Sequence, residues 1–319
     1  MNQAIYAIFI SFTVVLALGP FVIPMLTKLK FGQYVRSDGP ESHLSKAGTP
    51  TMGGIMIIAG FLLASLFFVW GSHETALVVG AAAAFGFIGF LDDYIKIKSK
   101  SSKGLKVYQK IVGQILISIG FVAIWSLTPG YSHEILIPFL PSVYFNVGFL
   151  YPAFACLVFI AVTNGSNLTD GVDGLNTSVT ALIGIFFMFA AWHLGSGVLP
   201  APGALIGSLL GFLVFNAKPA KVFMGDTGSL ALGGFVAAIA LILQMPLFLI
   251  IIAVIYVIES LSVLIQVGYY KLTKKRVFKM APIHHSFELS GWAETQIVAL
   301  FSVITAIACF VGYLALVGL

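Results

Sequence analysis

The sequence predicts an all-α polytopic membrane protein of about ten transmembrane helices, with both termini outside and a short external β-hairpin near 133–148. Three observations carry that prediction. Of 319 residues, 59% are hydrophobic and only 9% are charged, whereas a soluble domain has about 45–50% apolar and about 25% charged residues. The mean hydropathy is +1.02. The apolar residues fall in ten runs, most near the roughly 20 residues that a helical span needs. Finally, all 17 Lys and Arg fall on one side of that ten-run layout. Ten spans leave too little chain for a separate soluble domain, so 1–319 reads as a single integral-membrane domain.

In chain order the runs are 4–27, 53–71, 75–91, 110–127, 150–164, 178–195, 202–216, 229–244, 246–270 and 294–317. The opening Met1-Asn2-Gln3-Ala4-Ile5 lacks the basic leader of a cleaved signal peptide, so the first run is expected as a retained span. Between the fourth and fifth runs, Thr128 to Phe149 carries prolines at 129, 138 and 141. Its pieces Glu134–Phe139 and Ser142–Val147 alternate like a short amphipathic hairpin. No 10-residue alternating strands suggest an outer-membrane barrel, and no inverted repeat suggests a transporter. Cys156 and Cys309 both lie in apolar runs, which excludes a disulfide framework.

The basic residues group as Lys28, Lys30, Arg36 and Lys46; Lys96, Lys98, Lys100, Lys103, Lys106 and Lys110; Lys218 and Lys221; and Lys271, Lys274, Lys275, Arg276 and Lys279. Loops carrying an excess of Lys and Arg are cytoplasmic. The cytoplasmic loops therefore lie near 28–52, 92–109, 165–177, 217–228 and 271–293, and the opposite loops contain no basic residue. Topology accounts for the pI of about 9.1, so nucleic acid is not an expected partner.

The acidic residues are more selective, because topology does not require them. In Phe90-Leu91-Asp92-Asp93-Tyr94-Ile95-Lys96, two carboxylates sit where the third run ends. The negative pole of a helix is unfavourable for anions, which calls for a cation, either Lys96 one turn on or a divalent metal. The segment Asn164 to Asn176 is the one cytoplasmic loop without Lys or Arg, and it gathers Asn167, Asp170, Gly171 and Asp173. Asp170 and Asp173 would share one face if helical. Its spacing is superficially like a calcium loop, but the closing glutamate is missing.

In Phe215 to Ser229, Asp226 stands at the start of the eighth run beside two glycines, with Lys218 and Lys221 nearby. It reads either as an N-cap or as a metal ligand at a phosphate-binding helix end. Ala281-Pro282-Ile283-His284-His285-Ser286-Phe287-Glu288 offers paired histidines for acid–base work, phosphate donation or metal binding. Lys46 precedes the Gly/Thr/Pro turn into the second span. Carboxylates holding a metal that bridges phosphate oxygens are the usual solution for phosphoryl chemistry, and all-oxygen sites favour Mg²⁺ or Mn²⁺. The residues thus point to a metal-dependent enzyme that acts on a phosphorylated substrate at the cytoplasmic face of the bilayer.

The segments Ser45-Lys46-Ala47-Gly48-Thr49-Pro50-Thr51-Met52-Gly53-Gly54, Leu91 to Lys96, Asn167 to Leu175 and Phe223 to Ser229 resemble those of bacterial phospho-N-acetylmuramoyl-pentapeptide transferases. These belong to the wider polyprenyl-phosphate N-acetylhexosamine-1-phosphate transferase superfamily. Ala281-Pro282-Ile283-His284-His285 is similar to the muramoyl-pentapeptide branch in particular, although that branch usually has a third histidine where Ser286 stands. The resemblance implies Mg²⁺-dependent transfer of phospho-N-acetylmuramoyl-pentapeptide from its UDP donor to undecaprenyl phosphate, giving lipid I and UMP, in the bacterial cytoplasmic membrane. It implies catalytic roles for Asp92, Asp93, Asp226, Lys46, His284 and His285, with Asp226 as the metal ligand. It places substrate binding at Lys96, Asn167, Leu168, Asp170, Gly171, Asp173, Asn216, Phe223 and Gln266. It leaves room for a homodimer.

The polar break around Glu259, Ser260 and Ser262 in the ninth run fits a bent helix that opens a groove for lipid. Direct attack by the lipid phosphate and a covalent phospho-sugar enzyme both remain compatible with these residues. The near alternative is a sister enzyme that transfers N-acetylglucosamine-1-phosphate. The far one is a transporter, for which Glu259 is the only acidic residue within a span.

Lysines explained by topology can substitute for one another. Lys98→Gln or Lys100→Gln is therefore expected to leave turnover within a few-fold of the parent. A hundredfold loss, about 2.7 kcal/mol of barrier, would instead show contact with substrate.

Overall fold

The computed structural model describes residues 1–29, 48–69, 71–101 and 103–318. Every apolar run becomes helix: α1 (Asn2–Lys28), α2 (Gly54–Val69), α3 (His73–Lys98), α4 (Val107–Trp125), α5 (Tyr151–Thr169), α6 (Leu175–His193), α7 (Pro200–Asn216) and α8 (Gly225–Ile242). The ninth run divides into α9 (Leu249–Ile252) and α10 (Val254–Thr273), and α12 (Glu294–Val317) is the tenth. A short α11 (Ile283–Glu288) carries the histidine pair.

Seven of the described helices are long and apolar enough to cross a membrane. An eighth is added if the segment Pro246–Ile252 and α10, which meet at 82°, form one broken span. The second and seventh runs form helices of 16 and 17 residues, short of the roughly 20 that a span needs. The chain is a multi-pass helical membrane protein. The bend falls at Ala253, ahead of Glu259 and Ser260, which lie inside α10. The expected hairpin is present as β1 (Glu134–Leu136) paired antiparallel with β2 (Tyr144–Asn146), with Ile135 opposite Phe145.

Three helix boundaries differ from those the sequence suggested, and each moves polar residues into a helix. α3 runs on to Lys98, so Asp92 and Asp93 lie inside it rather than at its negative pole. The dipole penalty is confined to the last turn and does not act on them. α5 continues to Thr169, which leaves only 170–174 as a turn, so Asp170 and Asp173 do not share a helical face. α4 begins at Val107, which puts Lys110 in its first turn.

α8 is the centre of the bundle, and its residues from Thr227 to Ile242 are all buried. A helix that is apolar on every side belongs in a core. Its most extensive packing is against α3, and α5 and α2 also contact it. α1 lies against α7 along Gly203, Gly207 and Gly211. A Cβ at Gly207 would fall 2.1 Å from the carbonyl oxygen of Ile8, and one at Gly203 would fall 2.5 Å from that of Ala4. Small residues four apart let membrane helices approach backbone to backbone.

Gly207→Ala must push α1 and α7 apart, and overpacking costs about 1–3 kcal/mol. It is expected to lower the unfolding midpoint in detergent. Gly120→Ala, with nothing within 4 Å of the added methyl, should leave the midpoint unchanged or raise it. Equal midpoints for the two variants would contradict the close α1–α7 contact.

Candidate active site

The first N–H groups of a helix have no partner within the helix, and those of α8 open into the protein interior. Its N-cap residue, Met224, offers no side-chain cap. Asp93 of α3 supplies one from the neighbouring helix. Its Oδ1 accepts the N–H of Asp226 at 3.2 Å, and its Oδ2 accepts the N–H of Thr227 at 2.9 Å and the Thr227 hydroxyl at 2.7 Å. The close approach depends on Gly89, where a Cβ would fall 2.0 Å from the carbonyl oxygen of Asp226. The capping role that the sequence allowed for Asp226 thus belongs to Asp93.

Asp226 is left with its carboxylate pointing at other partners. Oδ1 accepts the side-chain amide of Asn167 at 2.9 Å, and the same nitrogen donates to the Ser229 hydroxyl at 2.8 Å. Oδ2 accepts from Lys110 Nζ at 2.6 Å and from Lys96 Nζ at 3.1 Å. Lys96 also pairs with Asp92 Oδ2 at 2.5 Å and lies 3.8 Å from Asp93 Oδ1. Asp92 Oδ1 accepts the N–H of Leu105 at 2.8 Å. Asp92, Asp93 and Asp226 each offer one oxygen within 4.8 Å of the others. Among the described residues three carboxylates face two ammonium groups, so with all three ionised one negative charge is left over. An additional cation fits that electrostatic demand, and all-oxygen donors suit Mg²⁺.

Lys110 was not singled out from the sequence, because topology explained it. A signal was nonetheless present. A lysine in the first turn of a helix sits at the positive pole, an unfavourable position that an anion must offset, and here the anion is Asp226.

The turn 170–174 and the loop 217–224 sit beside this group. Asp170 is the C-cap of α5, and its N–H donates to Asn167 at 3.3 Å. Leu168 is half-buried in the last turn of α5. Asp173 Oδ2 accepts the N–H of Ala220 at 3.0 Å, and the Asp173 N–H faces Glu294 Oε2 at 3.5 Å. Glu294 also forms an ion pair with Lys218, a tie that the sequence did not reveal. Asn216 is buried, accepting from the Thr177 hydroxyl at 2.7 Å and donating to Val222 at 3.0 Å. Phe223 is half-buried and exchanges backbone hydrogen bonds with Pro50 and Gly53 at 2.9 and 2.8 Å. Lys46 lies outside the described residues.

His284 is fully buried, with Nδ1 3.0 Å from Glu259 Oε1 and Nε2 3.2 Å from His285 Nε2. His285 Nδ1 lies 2.6 Å from Glu288 Oε2. Gly171 faces the same ring, where a Cβ would fall 2.0 Å from His284 Nε2. Gln266 braces the loop before α11, accepting the N–H groups of Val277 and Phe278 at 3.0 and 2.9 Å. Ser286, where the family usually has histidine, donates to Met280 O at 2.6 Å and accepts its N–H at 3.1 Å, and so pins the same loop.

The profile described as glycosyl transferase family 4 matches residues 74–244. The phospho-N-acetylmuramoyl-pentapeptide-transferase signature 1 matches residues 46–58. Relatives bearing the name phospho-N-acetylmuramoyl-pentapeptide-transferase align over almost the whole chain. That of Clostridium novyi (strain NT) is 49% identical over 99% of this chain and 98% of its own. That of Clostridioides difficile (strain 630) is 49% identical over the same shares. That of Clostridium perfringens (strain 13 / Type A) is 50% identical over 98% of this chain and 99% of its own. The chain belongs to the phospho-N-acetylmuramoyl-pentapeptide transferase family. The family's signature segment enters α2, where Gly54 packs against Gly228 so closely that a Cβ would fall 2.2 Å from the Gly228 nitrogen.

Losing a helix cap costs about 0.5–2 kcal/mol, while asparagine caps about as well as aspartate. Asp93→Ala is therefore expected to lower the unfolding midpoint in detergent measurably, and Asp93→Asn, which keeps one acceptor oxygen but turns an NH₂ toward the other backbone N–H, to lower it by less than Asp93→Ala. Identical midpoints for Asp93→Ala and the parent would exclude the capping role.

Proposed function

We propose that this chain transfers phospho-N-acetylmuramoyl-pentapeptide from UDP-N-acetylmuramoyl-pentapeptide to undecaprenyl phosphate, giving lipid I and UMP, at the cytoplasmic face of the membrane. The observation that carries this reading is near-complete alignment at about half identity with relatives of that name, joined to a carboxylate–lysine group of the kind phosphoryl transfer requires. The ten-run layout, with both termini outside, puts every basic loop and all the residues of that group on one side, which supports a cytoplasmic site.

In this reading Asp226 would hold Mg²⁺, and the ion would supply charge stabilisation at the phosphate oxygens. Lys96 and Lys110 have Asp226 as their common anion. Phosphates of the donor offer these flexible ammonium groups a second anion, so they orient the diphosphate as it enters. Asp92 lies beside Lys96 and positions or deprotonates the attacking lipid phosphate. Asp93 keeps the N-terminus of α8, and with it Asp226, in register. The turn 170–174 and Phe223 receive the uridine.

Two measurements test this. With radiolabelled donors and undecaprenyl phosphate, the purified protein is expected to accept UDP-N-acetylmuramoyl-pentapeptide and reject UDP-N-acetylglucosamine, and the opposite preference would assign it to the sister reaction. Asp226→Asn should remain monodisperse and folded, lose more than a hundredfold in turnover, about 2.7 kcal/mol, and respond poorly to added Mg²⁺. Near-normal turnover in that variant would remove Asp226 as the metal ligand.

A further inference from the structure

Glu259 is fully buried in α10. Its Oε1 meets His284 Nδ1 at 3.0 Å, while Oε2 has no hydrogen-bond partner among the described residues. A buried carboxylate is stable only when donors compensate it, and here the described donor is His284. From Glu259 a row runs through His284 and His285 to Glu288, with contacts of 3.0, 3.2 and 2.6 Å.

Each contact joins two atoms that are acceptors unless one carries a proton. Three contacts therefore need three protons. Two carboxylates and two neutral imidazoles carry only two, so all three contacts are hydrogen bonds at once only when the row holds a third proton. Without it, the Nε2 lone pairs of the two rings would face each other at 3.2 Å.

We infer that Glu259 is the positioning residue of the histidine pair. Its carboxylate takes the Nδ1–H of His284 and turns the Nε2 lone pair of that ring toward His285. The extra proton then stays on the pair, beside the turn that carries Asp170 and Gly171. This role rests on the transferase reading for its effect on turnover, but the protonation pattern itself does not.

The inference forecasts what happens when the acceptor is removed without changing the shape much. In Glu259→Met, Nδ1 of His284 loses its partner, the ring shifts its proton to Nε2, and that N–H donates to His285. The pair then needs one proton fewer. Histidine-selective ¹⁵N NMR of the full-length protein in detergent reads this directly. The Nδ1-protonated form of His284 is expected in the parent and in Glu259→Gln, which still offers an oxygen, and the Nε2-protonated form in Glu259→Met.

In the transfer assay, Glu259→Met should lower kcat at least tenfold with the donor KM within about twofold, and Glu259→Gln should lose less. In a His284→Gln background, the same Met substitution should add less than a twofold change. An unchanged ¹⁵N pattern in a monodisperse Glu259→Met protein, or an equal loss of turnover in both backgrounds, would overturn the inference. A parent protein that fails to transfer from the UDP donor would instead count against the transferase reading, and the ¹⁵N pattern would still decide the role of Glu259.

Discussion

The site depends on a helix N-terminus that begins inside the protein. Unpaired amide groups there carry a large desolvation penalty, and the sequence at the start of α8 provides no cap of its own. Asp93 removes the penalty from across the α3–α8 contact. One side chain thereby couples helix packing to site geometry. The glycine at 89 that lets the backbones touch also fixes where Asp226 stands relative to Asp92 and Lys96. Because Asp93 is spent on backbone amides, Asp226 is free to face the lysines.

The last turns of α5 join the two polar groups of the protein. Asn167 reaches Asp226, Ser166 donates to the backbone of Ser229 at 2.7 Å, and Gly171 abuts His284. The chain departs from α5 between the carboxylates and the histidines, and the tight turn 170–174 sets the spacing between them. Loop 217–224 is held from a different direction by Asp173, Asn216 and the Lys218–Glu294 pair. These ties come from the ends of five helices, so the loops are braced by the membrane bundle itself.

Much of this was legible in the sequence, because hydrophobic runs and charge placement are local or additive signals. All ten runs formed helix, and the β-hairpin stands where alternation and prolines suggested. Asp92, Asp93, Lys96, Asn167 and Asp226 could be named, since acidic and amide residues at loop edges need a reason to be there. What escaped was pairing at long range. Lys110 looked like one more topology lysine, and its partner lies 116 positions away. Glu259 looked like an isolated membrane carboxylate, yet its partner sits in the short helix α11, 25 residues on. The exchange of capping between Asp93 and Asp226 depends on which helix reaches which end, and no local pattern records that.

The bend at Ala253 has a mechanical consequence. Beyond it, α10 is one continuous helix that carries Glu259 against the histidines and, two turns later, Gln266 against the loop that precedes them. At about 1.5 Å per residue, these anchor points lie roughly 10 Å apart on a single rigid body. The histidine pair and its loop are therefore anchored to α10, while Asp226 belongs to α8, so the packing of these two helices in the bundle sets the separation of the two groups.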